Sequence, residues 1–299
     1  MSILVVGSIA LDSVETQFGS ADNALGGSAL YFSAAASTLA PVNVVGVVGS
    51  DFPVAEIGFL KQRRCDFEGM AVEDGETFRW GGRYHANGNQ RDTLFTHLNV
   101  FEHFNPIIPE HYRHSRFLFL ANIQPGLQLR VLDQMERPEL TLLDTMNFWI
   151  SGQRDTLMEV IRRIDILVVN DQELEQLTGE HNPFVAARGL LAEGPRALII
   201  KKGEHGSVLV DREGYFIAPA FPVSRVVDPT GAGDSFAGGM LGYLATCETV
   251  SRDDIRMAMV YGSVVASFTV EDFSMNRLRA LDRPTVEGRI DSLREMTRF

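Results

Sequence analysis

Short apolar runs alternate with segments of helical periodicity along most of this 299-residue chain. Short, nearly continuous apolar runs suit strands that are buried on both faces. Strands are therefore predicted at residues 3–6, 42–48, 117–120, 140–144, 166–169 and 197–201. Helices are predicted at about 28–39, 54–64, 126–135, 154–163, 171–178, 183–192, 234–246, 252–268 and 285–296. This alternation predicts an α/β fold, with a mainly parallel sheet flanked by helices.

One region departs from the alternation. Residues 77–84 and 93–100 are rich in β-formers, and the turn-forming pair Asn87-Gly88 lies between them. The pattern predicts an antiparallel insert that projects from the core, and an ordinary surface hairpin is the alternative. Residues 78, 80, 82 and 84 should share one face of the strand, and 79, 81 and 83 the other. Aromatic residues on the first face suit a nucleobase and arginines on the second suit a phosphate, so the face that meets a substrate stays open.

Charge and composition exclude several classes of function. The net charge of −12 argues against a protein that binds nucleic acid or an anionic membrane. None of the three lysines, at positions 61, 201 and 202, ends a P-loop motif, so P-loop kinases are excluded. The segment after the first strand lacks the dinucleotide-binding glycine spacing. Two cysteines, no signal-like start and no apolar run near 18 residues lead us to expect a soluble cytoplasmic protein.

The most informative motif is the segment Asp-Pro-Thr-Gly-Ala-Gly-Asp-Ser-Phe-Ala-Gly-Gly at positions 228–239. Gly231 to Gly233 carry little side-chain bulk, so their backbone can approach a ligand closely, and Asp234 opens an apolar helical run. Free N–H groups at a helix start bind anions, and a carboxylate beside a bound phosphate can take a proton from an attacking hydroxyl. A plain N-cap with a glycine bend is the alternative.

This motif resembles the C-terminal signature of the ribokinase-like (PfkB) carbohydrate kinases. The resemblance implies an enzyme that transfers the γ-phosphoryl group of ATP to a hydroxyl of a sugar or nucleoside. Gly231, Ala232 and Gly233 would form its anion hole and Asp234 would be its catalytic base. It also implies one domain over residues 1–299, a ribokinase-like three-layer α/β/α sandwich with a small β-sheet lid. The lid would be discontinuous, from about 11–18 and 77–100, and it mediates dimerisation in many relatives.

Two further motifs follow predicted strands. Asn170 and Glu173 have the spacing of a capping box, which needs no ligand. The resemblance implies instead that they organise ATP phosphate and magnesium, with Glu173 acting through metal-bound water. Lys202, Gly203 and Gly206 lie in a segment that reads as a hairpin turn, and the resemblance implies that they line the ATP site.

Acceptor-binding residues are expected near the N-terminus. By resemblance, Asp12 would accept hydrogen bonds from sugar hydroxyls, Gly26 and Gly27 would approach the acceptor, and Asn147 would contact it. The family often has Asn four residues after the second glycine, but this chain has Tyr31, so a common acceptor contact is lost or changed. Phe148 and Trp149 are expected in the core.

The resemblance also implies a monovalent cation, such as potassium, at Asp228 and Thr230. The resulting hypothesis is an ATP- and Mg²⁺-dependent kinase for a small sugar or sugar-containing metabolite, without a nucleic-acid or membrane partner. A nucleoside kinase, adenosine-like in its acceptor, is the alternative within the family. A catalytically silent ligand-binding protein on the same fold is the alternative from another class.

Overall fold

The computed structural model describes residues 2–85 and 90–298. The strands are β1 (Ile3–Val6), β2 (Ala10–Thr16), β3 (Gly19–Gly26), β4 (Val42–Gly49), β5 (Cys65–Glu73), β6 (Phe78–Tyr84), β7 (Arg91–His97), β8 (Phe117–Leu120), β9 (Leu140–Asp144), β10 (Ile166–Asn170), β11 (Ala197–Lys201), β12 (Ser207–Asp211) and β13 (Gly214–Ala218). The α-helices are α1 (Ser28–Ala36), α2 (Gly58–Gln62), α3 (Pro125–Gln134), α4 (Asn147–Gly152), α5 (Arg154–Ile161), α6 (Asp171–Thr178), α7 (Pro183–Leu191), α8 (Ala232–Leu244), α9 (Arg252–Thr269), α10 (Asn276–Arg279) and α11 (Arg283–Met296).

Nine strands form the central sheet, in the order β13-β12-β11-β10-β9-β8-β1-β4-β5. The seven strands from β11 to β5 pair in parallel, whereas β12 and β13 add an antiparallel hairpin at one edge. The predicted α/β class with a mainly parallel sheet is therefore confirmed. Because parallel strands all end at one edge of the sheet, residues that follow their carboxyl ends are brought together there.

Each face of this sheet is covered by its own layer of helices. Along β1, Ile3 and Val5 point into a core that contains apolar residues of α1, α8, α9 and α11. Leu4 and Val6 point to the other face, into a core with α3, α5, α6 and α7. Since alternate side chains of every central strand are buried on both sides, the nearly continuous apolar runs of the sequence are explained. The result is the predicted three-layer sandwich.

A second sheet of four strands lies apart from the first, in the order β3-β2-β6-β7. The strand β2 pairs antiparallel with β3 and parallel with β6, and β6 pairs antiparallel with β7. The sequence predicts β2, β6 and β7 but not β3, whose residues are polar and mostly exposed. The predicted turn at Asn87-Gly88 lies outside the described residues. We call this four-stranded sheet the small sheet.

In the described part of the chain, no helix combines the length and the apolar character needed to cross a bilayer. Cys65 and Cys247 are both free thiols, and Cys65 is buried in the core.

One predicted helix differs in form. The segment 54–64 is a 3₁₀ turn, Val54–Ile57, followed by the short helix α2.

Candidate active site

The start of α8 is a bend that glycine alone accommodates without strain. Gly231 has φ of 74°, in the left-handed region, and a Cβ built there would lie 2.2 Å from the ring of Tyr31. Upstream, the fully buried Asp228 accepts a hydrogen bond from the backbone N–H of Thr230 at 2.9 Å. Its other carboxylate oxygen accepts one from the N–H of Ser274 at 3.3 Å. Asp228 therefore shapes the bend through backbone contacts.

The glycines inside α8 serve packing. A Cβ at Gly238 would lie 2.5 Å from the carbonyl oxygen of Phe32 in α1. One at Gly239 would lie 2.9 Å from the carbonyl oxygen of Tyr261 in α9. Two helices thus approach α8 more closely than any residue with a side chain permits, which offsets the low helix propensity of glycine. This close packing sets the direction of α8 and so the position of its first turn.

Asp234 lies in that first turn and is partly exposed. Burial raises its pKa to about 7, with further raising by the negative charges of Asp144 and Asp12 and an opposing effect of Lys201. Since Asp144, Asp12 and Lys201 all affect the pKa of Asp234, these four side chains lie near one another in the fold. A carboxyl group that titrates near neutral pH and stands at a helix N-terminus can act as a general base beside a bound anion.

Asp12, which lies in β2, is close to Asp234 at the start of α8. Its side chain is buried and accepts a hydrogen bond from the backbone N–H of Gly27, and burial raises its pKa to about 7. A Cβ at Gly26 would lie 2.0 Å from the Asp12 carboxylate, and one at Gly27 would lie 2.5 Å from the carbonyl oxygen of Ser8. Gly26 therefore leaves the space that the Asp12 carboxylate occupies, and Gly27 leaves room for the backbone of Ser8, which gives the predicted pair a steric reason.

At the carboxyl end of β10, Asn170 and Glu173 form the predicted capping box of α6. The Asn170 side chain accepts from the Glu173 N–H at 2.7 Å, and Glu173 Oε2 accepts from the Asn170 N–H at 2.8 Å. Burial raises the pKa of Glu173 and Asp144 raises it further, while the positive charge of Lys201 lowers it. Glu173 is therefore both a cap and a member of the charged cluster around Asp234.

Sequence reasoning missed the centre of that cluster, the ion pair between Lys201 and Asp144. Lys201 ends β11 and Asp144 ends β9, and Nζ lies 3.0 Å from Oδ1. The pKa of Lys201 is raised by Asp144, Glu173 and Asp234, which outweigh the effect of burial. The sequence did contain a signal for Lys201, because the pattern K-x-G-x-x-G begins at Lys201 and continues with Gly203 and Gly206. Lys202, the residue singled out above, instead contacts Asp171 on the surface at 3.1 Å.

The other predicted residues take more peripheral places. Gly203 and Gly206 lie in the turn between β11 and β12, as predicted, and both have positive φ. A Cβ at Gly206 would lie 2.1 Å from the carbonyl oxygen of Ala218, so this glycine serves the hairpin. Asn147 is exposed at the start of α4. The prediction that Phe148 lies in the core is wrong, since it is 65% exposed beside the half-buried Trp149.

The small sheet contacts the bend before α8 with its aromatic face. The Tyr84 hydroxyl lies 3.2 Å from Thr230 Oγ1, and the Trp80 ring lies on the same face, under the guanidinium of Arg91. Arg91 lowers the pKa of both Asp12 and Glu173, so its charge reaches the acidic cluster. Arg79 instead pairs with Asp51 at 2.6 Å, and Arg83 pairs with Glu15 at 2.7 Å. The face with residues 80 and 84 is therefore turned toward the bend and the charged cluster around Asp234; we call the space between the small sheet and this cluster the cleft.

The carboxylates of the site suit a hydrated divalent cation that also binds the phosphates of a nucleotide. Within residues 2–85 and 90–298, no three His, Cys, Asp or Glu side chains converge to hold a metal by themselves. Mg²⁺ usually takes one or two carboxylates and completes its shell with water and substrate phosphates. Glu173 and Asp144 are carboxylates of this kind, close to the helix start that suits an anion. The residues present therefore fit Mg²⁺ bound together with a nucleotide.

Comparisons with known proteins agree with this geometry. The model of the pfkB family carbohydrate kinases matches residues 113–278. A cytidine kinase of Thermococcus kodakarensis is 30% identical over 247 residues, which are 81% of this chain and 87% of that protein. The structure of the Methanocaldococcus jannaschii nucleoside kinase superimposes with a TM-score of 0.80 at 21% identity, covering 97% of this chain and 98% of that one. A putative ribokinase II from E. coli, in complex with ATP and Mg²⁺, gives 0.81 at 18% identity, covering 97% and 99%.

The structural neighbours establish a ribokinase-like fold. The chain belongs to the pfkB family of carbohydrate kinases. The predicted class of enzyme, an ATP-dependent phosphotransferase that acts on a hydroxyl of a sugar or nucleoside, is thereby confirmed.

Proposed function

We propose that this protein is an Mg²⁺- and ATP-dependent nucleoside kinase, with Asp234 as its catalytic base. The observation that carries the proposal is the convergence of Asp12 and Asp234 on one cleft beside the start of α8, where the negative charge of Asp12 helps to raise the pKa of Asp234. Similarity along 81% of the chain to a protein named cytidine kinase favours a nucleoside over a plain sugar. A nucleoside contains the sugar hydroxyls that Asp12 would bind.

In this proposal the acceptor is held from two sides. Asp12 accepts hydrogen bonds from ribose hydroxyls, and Gly26, which leaves room for the Asp12 carboxylate, and Gly27 lie beside it. The face of the small sheet that carries Trp80 and Tyr84 covers the cleft and offers an aromatic surface to a base. Asn147, exposed at the carboxyl end of the sheet, adds a polar contact to the acceptor.

The chemical step follows from the position of Asp234. Its carboxylate takes the proton of the attacking hydroxyl, while the N–H groups of Gly231, Ala232 and Gly233 bind the oxygens of the moving phosphoryl group. Phosphoryl transfer needs little covalent help from the protein, so positioning and charge stabilisation supply most of the rate. Closure of the small sheet as a lid excludes water that would otherwise hydrolyse ATP.

The nucleotide would lie along the carboxyl ends of β10 and β11. Asn170, Lys202, Gly203 and Gly206 border this stretch, and Glu173 would hold Mg²⁺ through water. Mg²⁺ held there would supply charge neutralisation and orientation of the phosphates. Asp228 and Thr230 would supply oxygens to a potassium ion, although the Asp228 carboxylate already accepts two backbone hydrogen bonds. Potassium activation of the purified enzyme tests this last role.

Assembly and location complete the proposal. The small sheet exposes Leu94 and the turn between β2 and β3 exposes Phe18, and these large apolar residues suit a homodimer formed through the lid. Two free cysteines suit the reducing cytoplasm. Light scattering of the purified protein over a range of concentrations distinguishes a dimer from a monomer.

The experiment that tests the proposed acceptor measures ADP release and product mass with ATP and Mg²⁺. The panel contains cytidine, uridine, adenosine, inosine, ribose, fructose and ribose 5-phosphate. We expect one or more nucleosides to give kcat/KM at least tenfold above every free sugar. A free sugar as the best acceptor would contradict the nucleoside assignment, and no turnover with any acceptor would contradict the kinase assignment of the site.

A further inference from the structure

Lys201 is a partly buried cation at the point where the phosphoryl group would move. It ends β11, its side chain is 21% exposed, and Asp144 Oδ1 holds its Nζ at 3.0 Å. Among the residues that the structure describes, Asp144 is the one hydrogen-bonding partner of this ammonium group. An ammonium group has three N–H donors, so two further donors are available to a ligand.

The ammonium group also lies directly against the start of α8. A Cβ built at Gly233 would be 3.2 Å from Lys201 Nζ, tighter than an ordinary contact, so the absence of a side chain at Gly233 leaves room for the lysine. Gly233 is one of the residues proposed to bind the moving phosphoryl oxygens. Lys201 Nζ and the N–H groups of this first turn therefore converge on one small volume, next to Asp234.

The charge balance of the cluster points the same way. Asp144, Glu173 and Asp234 all act on the Lys201 ammonium group, which is therefore a fixed cation among the carboxylates that a triphosphate would approach. A triphosphate adds further negative charge, which one hydrated Mg²⁺ offsets only in part. A fixed ammonium group that already lies against the helix start gives stabilisation without reorganisation during the reaction.

We propose that Lys201 is a catalytic residue whose ammonium group contacts the γ-phosphoryl group of ATP and follows it to the acceptor, with Asp144 as the positioning residue that holds the ammonium in place. The inference rests on the proposed function. In the step, the bond between the γ-phosphorus and the bridging oxygen of ADP breaks, and a bond from the acceptor oxygen to that phosphorus forms. The hydroxyl proton passes to Asp234, and Lys201 keeps its own protons throughout.

A purely structural role for the pair predicts different behaviour. A buried ion pair that only supports the fold loses stability when one partner is removed, and it does not distinguish ATP from ADP. A contact to the γ-phosphoryl group does distinguish them, because ADP lacks that group. The ratio of the ADP and ATP dissociation constants is therefore the most informative quantity.

The test compares Lys201→Met, Lys201→Arg and Asp144→Asn with the native enzyme. Lys61→Met is the matched control, because Lys61 is an exposed lysine on α2, outside the site. Calorimetry with Mg²⁺ gives the dissociation constants of ATP and ADP, and steady-state kinetics with the best nucleoside gives kcat and KM. Thermal melting shows which variants fold.

We expect Lys201→Met to lower kcat by roughly 10²–10³-fold, in line with removal of one preorganised donor at a reacting oxygen. The preference for ATP over ADP should fall about tenfold or more, since a charge-assisted hydrogen bond is lost. The KM of the nucleoside should change by less than about threefold. Lys201→Arg should recover part of kcat, Asp144→Asn should lower kcat with Lys201 intact, and Lys61→Met should match the native enzyme.

A Lys201→Met enzyme that folds, keeps its preference for ATP and keeps kcat within about threefold of native would overturn the inference. If Lys201→Met does not fold, Lys201→Gln decides, because glutamine keeps a polar side chain without the positive charge, and native values of kcat and of the ATP preference in that variant would also overturn the inference. Failure of the proposed function is a separate result, because the native enzyme itself would then not bind ATP or phosphorylate any nucleoside.

Discussion

Two carboxyl groups in the cleft, Asp12 and Asp234, have pKa values of about 7. Burial is the main cause in both cases, and neighbouring carboxylates add to it. A base with such a pKa is available at neutral pH and still has appreciable affinity for a proton, which suits general base catalysis. The same environment costs stability, because both groups are held where ionisation is unfavourable.

This cost predicts how stability depends on pH. The pKa of Asp234 rises from 3.8 to about 7 on folding, so between these values the folded protein binds a proton that the unfolded chain does not. The free energy of unfolding should therefore fall as the pH rises from about 4 to about 7, and this contribution should be constant above that. We expect Asp234→Asn to flatten the profile and to melt at a higher temperature than the native protein at pH 8.

Urea unfolding at several pH values measures this effect. The exposed Asp253→Asn, whose side chain is 84% accessible, serves as the control and should follow the native profile. An Asp234→Asn protein that is less stable than native at pH 8 would show that the Asp234 carboxylate supports the fold instead of straining it.

Among the elements, the start of α6 combines a structural and a functional role that local sequence cannot separate. The capping box of Asn170 and Glu173 is complete without any ligand. The same Glu173 is influenced by Lys201 and Asp144 from two other strands. A capping motif in the sequence contains no information about these distant partners. Local sequence therefore cannot decide whether Glu173 is only a helix cap or also a metal-binding carboxylate.

Glu173→Gln separates the two roles. A glutamine oxygen can still accept from the Asn170 N–H, so the cap and the melting temperature should be retained, while the negative charge is lost. We expect the Mg²⁺ concentration for half-maximal activity to rise several-fold, because a neutral oxygen attracts a hydrated cation less.

A titration of activity with Mg²⁺ at saturating ATP measures this shift. The capping box of α9, formed by Ser251 and Asp254, provides the matched control. Asp254→Asn changes the same kind of cap away from the site and should leave the Mg²⁺ titration unchanged. An unchanged titration for Glu173→Gln as well would reduce Glu173 to a cap.

The elements that sequence predicted and those that it missed differ in burial. Central strands such as β8 and β9 are buried along their whole length, and their apolar runs predict them closely. The edge strands β3 and β5 carry exposed polar residues, so they have no continuous apolar run. The edge strand β13 is a short apolar run, but its Tyr215 and Ile217 are exposed. Edge strands owe their structure to pairing with a neighbour, which local sequence does not contain.

For the molecule as a whole, the site is assembled from parts far apart in sequence. Asp12, Asp144, Glu173, Lys201 and Asp234 meet because the strands that carry or precede them end at one edge of the sheet or in the small sheet beside it. Sequence motifs identified Asp12, Glu173 and Asp234 separately. The pairing of Asp144 with Lys201 depends on the strand order β9-β10-β11, so it could not be deduced from spacing.

The small sheet covers this edge through contacts such as Tyr84 with Thr230. If it closes as a lid on ligands, hydrogen exchange of amides in β6 and β7 should slow several-fold when nucleoside and a non-hydrolysable ATP analogue are added together. Amides of the central strand β10 should not change. Mass spectrometry of the exchanged protein measures both, with Asp12→Ala as a control that should not respond to the nucleoside. Unchanged exchange in β6 and β7 would contradict lid closure.

The most direct measurement is the turnover of Asp234→Asn with ATP, Mg²⁺ and the best nucleoside, together with its dissociation constant for ATP. Our account predicts a folded protein with a near-native ATP affinity and a kcat lowered by roughly 10²–10⁴-fold, because a general base is lost while the nucleotide contacts remain. A kcat close to that of the native enzyme would contradict the assignment of Asp234 as the base.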